Sequence, residues 1–368
     1  MIWDFPVGQS RVRMLLENSI KRHRLAHAYL FHGPKGTGKD AMAVFLTLTL
    51  NCKSGKTGGC GECSSCLQIL QLNYPHVHWI VPAPTRPRGM DETDYLKTIR
   101  ESVLNWIDNP HMEVVFPSEM NTLPVISIDQ IRTLKKEMVL RIQEGLTRVI
   151  ILSRADRMTD SAANSLLKIL EEPPERTVLI LTSHQPGLLL ETIVSRCQKI
   201  RFHLLPEKDI YTALKDRWNV EDGRARLLAR MAGGSMQRAL QLNNEAFLTQ
   251  RQEAVRFFET ALLGSEMDRI ELTEKFTQGG EKTQVQEMLY LLIIWLRDLG
   301  HWRRGSCQLI MNIDHEDILT RWSRQWSGNK TDESVVHVER AIDLIEKNVY
   351  LPLVLMTLSG QLKAGFGC

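Results

Sequence analysis

A chain of 368 residues exceeds the usual size of one compact domain, so two or three domains with separate cores are expected. Hydrophobic residues make up 43% and charged residues 24%, the composition of an ordinary globular protein without repeats or low-complexity tracts. With 46 basic against 43 acidic side chains the formal charge is only +3, so bulk charge argues neither for nor against nucleic acid as a partner.

The start, Met1-Ile2-Trp3-Asp4-Phe5-Pro6, lacks the basic-then-apolar order of a secretory signal. The most apolar stretch, Met288 to Leu296, is shorter than the roughly 20 residues that cross a bilayer and reads as a buried helix. A cytoplasmic protein without a membrane partner is expected. Four of the seven cysteines cluster between Cys52 and Cys66, which fits metal binding in a reducing compartment better than a disulfide framework.

Along the chain, the apolar run Ala28-Tyr29-Leu30-Phe31 leads into a Gly-rich loop, and Ala41 to Leu50 is apolar with helix-compatible spacing: strand, loop, helix. After the cysteines, His78-Trp79-Ile80-Val81 predicts a short strand. The segment between Pro82 and Pro124 is proline-rich without core periodicity and reads as an insertion with one helix around Tyr95 to Ile107. A helix at Ile128 to Gln143, a strand at Arg148 to Leu152, a helix from Asp160 to Leu170 ended by Pro173-Pro174, and a strand at Thr177 to Leu181 follow. Alternating strands and helices imply an α/β domain with a parallel sheet. From Pro206 onward only helical patterns appear, with a break at Gly233-Gly234 and a loop near Ser327-Gly328-Asn329. The expected domains are 1–205, α/β; 206–246, a small helical lid; and 247–368, all-α.

Gly33-Pro34-Lys35-Gly36-Thr37-Gly38-Lys39-Asp40 fits the phosphate-loop pattern up to its last position. Glycines let backbone N–H groups curl around an anion, the following helix N-terminus adds partial positive charge, and Lys39 is suited to reach the outer phosphates. The last position should be Ser or Thr, whose hydroxyl ligates Mg²⁺. Here it is Asp40, which puts normal binding of ATP and Mg²⁺ in doubt. An acidic pair should also close the next apolar strand, but Ser153-Arg154 stands there. The nearby Asp156 reads as a turn acid.

Cys52, Cys60, Cys63 and Cys66 form C-x7-C-x2-C-x2-C, with Gly58-Gly59 and Gly61 freeing the chain to wrap a small ion. Four thiolates suit tetrahedral Zn²⁺ and leave no open position, so a structural zinc is expected.

Several segments resemble one family, the clamp-loader ATPases of bacterial DNA polymerase III, and within it the delta-prime branch: Val7-Gly8-Gln9, Leu25 to Phe31, the cysteine insertion, Ile128 to Arg132, Ala162 to Pro174, Ser195-Arg196-Cys197, and Asn348 to Leu355. The resemblance spans nearly the whole chain except 82–124 and about 246–340. It implies an AAA+ nucleotide-binding-type domain, a lid, and a C-terminal oligomerisation collar in a hetero-oligomer with delta- and gamma/tau-type subunits. That complex places the sliding clamp on primed DNA. It also implies that Arg196 is an arginine finger supplied in trans to a neighbour's ATP site; an isolated arginine is more often a surface salt bridge, and the Ser-Arg-Cys context reverses that preference. Relative to the hydrolysing subunits, Asp40 replaces the hydroxyl, Ser153-Arg154 the acidic pair, and Gln237 a nucleotide-sensing arginine, with Arg238 one position later. Two other readings remain open: an ATP-hydrolysing motor subunit in which Asp40 or Asp156 restores metal binding, and a zinc-dependent DNA-binding module using Arg224, Arg226, Arg230, Arg303 and Arg304.

Overall fold

In the computed structural model, residues 6–120, 122–138, 142, 145–279, 282–326, 330–347 and 349–366 are described. The Met1 to Phe5 start, Gln143, the Ser327-Gly328-Asn329 loop, Asn348 and Cys368 lie outside them.

The chain runs α1 (Ser10–Lys21), β1 (Ala28–His32), α2 (Lys39–Asn51), α3 (Ser64–Leu70), β2 (Val77–Ile80), α4 (Glu92–Ile107), α5 (Ile128–Glu137) and β3 (Arg148–Leu152). It continues through α6 (Asp160–Glu171), β4 (Thr177–Ser183), α7 (Glu191–Arg196), β5 (Gln198–Arg201) and α8 (Glu207–Trp218). Helices alone follow among the described residues: α9 (Asp222–Met231), α10 (Met236–Leu242), α11 (Glu245–Leu263), α12 (Glu266–Gly279), α13 (Lys282–Arg303), α14 (Glu316–Gln325), α15 (Thr331–Glu346) and α16 (Leu351–Phe366). Two units emerge, Met1–Asn219 with Ala232–Leu240, and Val220–Met231 with Gln241–Cys368.

In the first unit the described strands form one sheet ordered β2-β3-β4-β1-β5, and every pairing is parallel. Strand side chains alternate between two cores, as the period of two requires. Tyr29, Phe31, Val149, Ile151, Val178 and Ile180 face the helices α1, α2 and α4, whereas Ala28, Leu30, Ile150, Leu152, Leu179 and Leu181 face α5, α6 and α7. Both faces being covered, β3 and β4 are buried throughout, which is why they read as unbroken apolar runs.

Local signals set the helix ends. Ser127 and Gln130 form a capping box at α5, Thr159 caps α6 by accepting from Ala162 N, and α6 stops at Glu171 just before Pro173-Pro174. The forecast helix from Ile128 ends at Glu137 rather than Gln143. The helix expected at Tyr95 begins earlier, at Glu92, because Asp91 caps it by accepting from Thr93 N. The 82–124 insertion leaves and rejoins the sheet edge through a bridge in which Ala83 and Val125 exchange backbone hydrogen bonds, both 3.0 Å. Its helix α4 is anchored by Trp106, buried edge-on against Trp79 of β2 at 5.9 Å.

The second unit is helical among its described residues. Its core gathers Phe258, Trp295, Trp322, Trp326 and Phe366, with Phe258 and Trp322 rings 4.7 Å apart. Beside them the buried Arg251 donates through both terminal nitrogens to Asp314, each 2.6 Å, and through Nε to Asn312 Oδ1 at 2.8 Å. Asp298 accepts from the backbone of Met311 and Asn312 at 2.9 and 2.7 Å, so the segment around 311–314 is held from α11 and α13 together. The apolar Met288 to Leu296 stretch lies in α13 with most of its side chains buried. Among the described residues no helix is long and apolar enough to cross a membrane.

Candidate functional site

The Gly33–Asp40 loop leaves the C-terminal end of β1, between β4 and β5, where an open parallel sheet presents its ligand crevice. Gly33 has φ +144°, and a Cβ there would strike the Phe202 carbonyl at 2.3 Å. At Gly36, φ +74°, a Cβ would overlap Ser235 Oγ at 1.9 Å. Met236 N donates to the Gly36 carbonyl at 2.9 Å, so residues 235–237 close over the loop. Gly36, Gly38, Lys39, Asp40, Arg154, His184 and Gln237 line a common cavity of about 180 Å³, below the roughly 300–1,000 Å³ of ordinary ligand pockets.

The chemistry of that cavity is largely committed to the chain itself. Lys39 is only 2% exposed, and its Nζ donates to the carbonyls of Gly33 at 2.8 Å and Pro34 at 2.6 Å. Burial lowers its pKa to about 8. Asp40 accepts from Thr182 Oγ1 at 2.8 Å and also from Ser153, and burial pushes its carboxyl above the usual range against the pull of those bonds. Thr182 Oγ1 in turn accepts from Arg154 N at 3.0 Å. Arg154 adopts a left-handed backbone, φ +53°, at the end of β3 where an acidic pair would be needed. Asp156 is turned inward, accepting from His184 N at 3.1 Å and pairing with Arg154 at 3.4 Å, and it is not among the cavity residues. Gln237 is buried at the cavity wall without a hydrogen-bond partner for Nε2, whereas Arg238 is exposed and absent from the lining. These residues do not fit a magnesium-nucleotide: no hydroxyl stands at position 40, and Ser153-Arg154 stands at the end of β3 in place of an acidic pair.

Three further cavity residues carry no motif and come from segments without sequence signal: His111 and Glu113 of the insertion, and His184 after β4. Burial, reinforced by Arg217, pushes the His111 imidazole down to about 3. Burial, then Lys39 and Arg154, does the same for His184.

Cys52, Cys60, Cys63 and Cys66 do converge. Cys52 directly follows α2, Cys63 caps α3, Cys66 lies within α3, and the four sulfurs fall within 4.8 Å of one another. Cys60 and Cys66 Sγ are 4.0 Å apart, close to the roughly 3.8 Å between sulfurs of a tetrahedral site with 2.3 Å zinc–sulfur bonds. Cys63 N points at Cys60 Sγ, 3.2 Å, and Cys66 N at Cys63 Sγ, 3.5 Å, as thiolate acceptors require. A backbone bond from Glu62, then that from Cys63, brings Cys60 down to about 6, while burial pushes Cys66 up to about 12. Four thiolates can coexist here only around a cation, so the donor set fits structural zinc.

Arg196 is elsewhere. It ends α7, is not among the cavity residues, and donates to Glu171 Oε1 at 2.9 Å and to the Thr192 carbonyl at 3.0 Å. Its side chain is 36% exposed. In the second unit, Arg226 pairs with Asp222, Arg304 with Asp332, and Arg224 and Arg303 donate to the Asn244 and Trp326 carbonyls.

The family model described as DNA polymerase III, delta subunit matches residues 8–206. The DNA polymerase III subunit delta' of Bacillus subtilis is 34% identical over 96% of this chain and 97% of its own length. Subunit tau of the same organism is 29% identical over 65% of this chain but only 37% of its own. A solved gamma subunit-related protein of Thermotoga maritima aligns over 97% of this chain and 98% of its own at 18% identity, with a TM-score of 0.41. By its near full-length match, the chain belongs to the delta-prime family of DNA polymerase III, the clamp-loader branch that its sequence motifs resemble.

Proposed function

We propose that this chain works as a non-motor subunit of the clamp loader in DNA replication, assembling with delta- and gamma/tau-type subunits to place the sliding clamp on primed DNA. The observation that carries this reading is the end of β3, where Arg154 stands paired with Asp156 in place of an acidic pair while Asp40 is bonded to Thr182. Asp40, Ser153 and Arg154 stand where metal binding and water activation would need other residues. In this reading the chain contributes Arg196 to a neighbour's ATP site. Partly exposed at the end of α7, Arg196 is held by a bond to the Thr192 carbonyl and by a surface pair with Glu171, the latter worth under about 1 kcal/mol, so exchanging that carboxylate for a phosphate costs little. Its planar fork suits the task.

The accompanying architecture is an α/β domain over 1–205 with a zinc module at 52–66, a lid over 206–246 and a collar over 247–368, acting in the cytoplasm. ATP turnover by the pure chain with Mg²⁺, beside Lys39→Ala, tests it. Background rates in both are expected. Motor-like turnover abolished by Lys39→Ala would favour the ATPase reading instead.

A further inference from the structure

The cations beside the cavity hold a carboxylate of the chain itself. Glu113, in the irregular segment after α4, spans two of them: Oε2 lies 3.0 Å from Lys35 Nζ of the phosphate loop, and Oε1 lies 2.7 Å from Arg154 NH1 beyond β3. Two positions earlier, His111 is buried against the loop, where a Cβ on Gly38 would meet its Cε1 at 3.4 Å. The segment is built rather than draped. Trp106 Nε1 donates to the Met112 carbonyl at 2.9 Å, Met112 N to the Asn109 carbonyl at 3.0 Å, and Trp106 itself is locked in the core.

We propose that residues 110–116 form a strap over a masked anion site, in which the Glu113 carboxylate stands in for a phosphate between Lys35 and Arg154. Glu113 is 37% and Lys35 53% exposed, so the pairs add little stability. Their consequence is electrostatic. One carboxylate occupies two cations and sets a negative charge at the mouth of the cavity, where a polyphosphate would otherwise be drawn in by Lys35, Arg154 and the backbone N–H groups of the loop. The insertion therefore supplies from within the chain the anion that the loop geometry attracts. This deepens the reading of the loop as a phosphate site without turnover, and does not depend on Arg196.

The test is calorimetric binding of sodium tripolyphosphate to the full chain at low salt, comparing wild type, Glu113→Ala, Glu113→Gln and Glu113→Ala with Lys35→Ala, each checked for an unchanged thermal transition. Both single variants should bind at least about tenfold more tightly than wild type, and the added Lys35→Ala should remove most of the gain. Glu113→Gln keeps the shape and removes only the charge, so it decides the matter should Glu113→Ala lose structure. Binding no tighter than wild type, whether all bind or none do, overturns the proposal, as does a gain untouched by Lys35→Ala. ATP turnover appearing in the Glu113 variants would instead contradict the non-motor reading and leave the strap standing.

Discussion

Thr182 Oγ1 donates to Asp40 Oδ1 at 2.8 Å while accepting from Arg154 N at 3.0 Å, tying the end of the phosphate loop to the end of β3 through β4. The acid at position 40 is thus a structural acceptor. Asp40→Ser should restore the hydroxyl but not the activity, because no acidic pair appears at 153–154. Loss of a charged acceptor should lower the stability of the α/β unit by about 1.5–3 kcal/mol. Denaturant melts and ATP turnover check both halves, and turnover above background in Asp40→Ser would show that the hydroxyl alone was missing.

One zinc per chain is expected from protein purified without added metal, held by Cys52, Cys60, Cys63 and Cys66. Chelation should raise hydrogen exchange across α3 and the loop before it, and leave α13 to α16 protected. Elemental analysis decides the first point. Substoichiometric metal in a folded sample with four titratable thiols would refute it.

Much of this was legible in the sequence for a physical reason. Strands buried on both faces, such as β3 and β4, show unbroken apolar runs, and the spacing of Gly33, Gly36 and Gly38 marks a backbone that must take positive φ. The cysteine spacing alone marks a common centre. By contrast β5 carries no pattern, because only Ile200 of its four residues is buried. The strap is equally silent: His111 and Glu113 take their places from Trp106 and the loop beneath, and such long-range contacts leave no periodicity. In α13, apolar residues face several neighbours, so helical contrast fades although the element is long.

The two cavity histidines should make the α/β unit acid-sensitive. Each titrates near 6.5 when unfolded and about 3 when folded, so between these values the unfolded chain takes up protons first and stability falls as pH falls. Above pH 6.5 that contribution is fully present. His111→Gln should flatten the decline of the melting temperature between pH 6.5 and 4 relative to wild type. A slope equal to wild type would remove His111 from the account.

In the helical unit, Asp314→Ala leaves the Arg251 guanidinium, 3% exposed, with its Nε bond to Asn312 and the face of the Trp295 ring 5.2 Å away. The expected cost is roughly 2–3 kcal/mol, below the range for a fully buried broken pair because Asp314 is 41% exposed. Arg251→Lys should cost a similar amount, since an ammonium cannot reproduce the fork. Urea melts of the full chain, followed by tryptophan fluorescence of the Trp295 cluster, measure it, and changes below 0.5 kcal/mol, about the effect of an ordinary surface substitution, would make the network incidental.

The central claim, that this chain completes a neighbour's ATP site without a working one of its own, rests on Arg196. In clamp-loader complexes reconstituted with Arg196→Ala, assembly by size should match wild type. Hydrolysis at the one shared site should fall on the order of 10³-fold, with bulk turnover falling less because other sites keep their own arginines. Arg196→Lys should be nearly as damaging, whereas Glu171→Gln, which frees Arg196 from its pair, should not slow the site. The deciding measurement is clamp-dependent ATP turnover and clamp loading by the assembled Arg196→Ala complex: reduced rates are predicted, and wild-type rates would contradict the account.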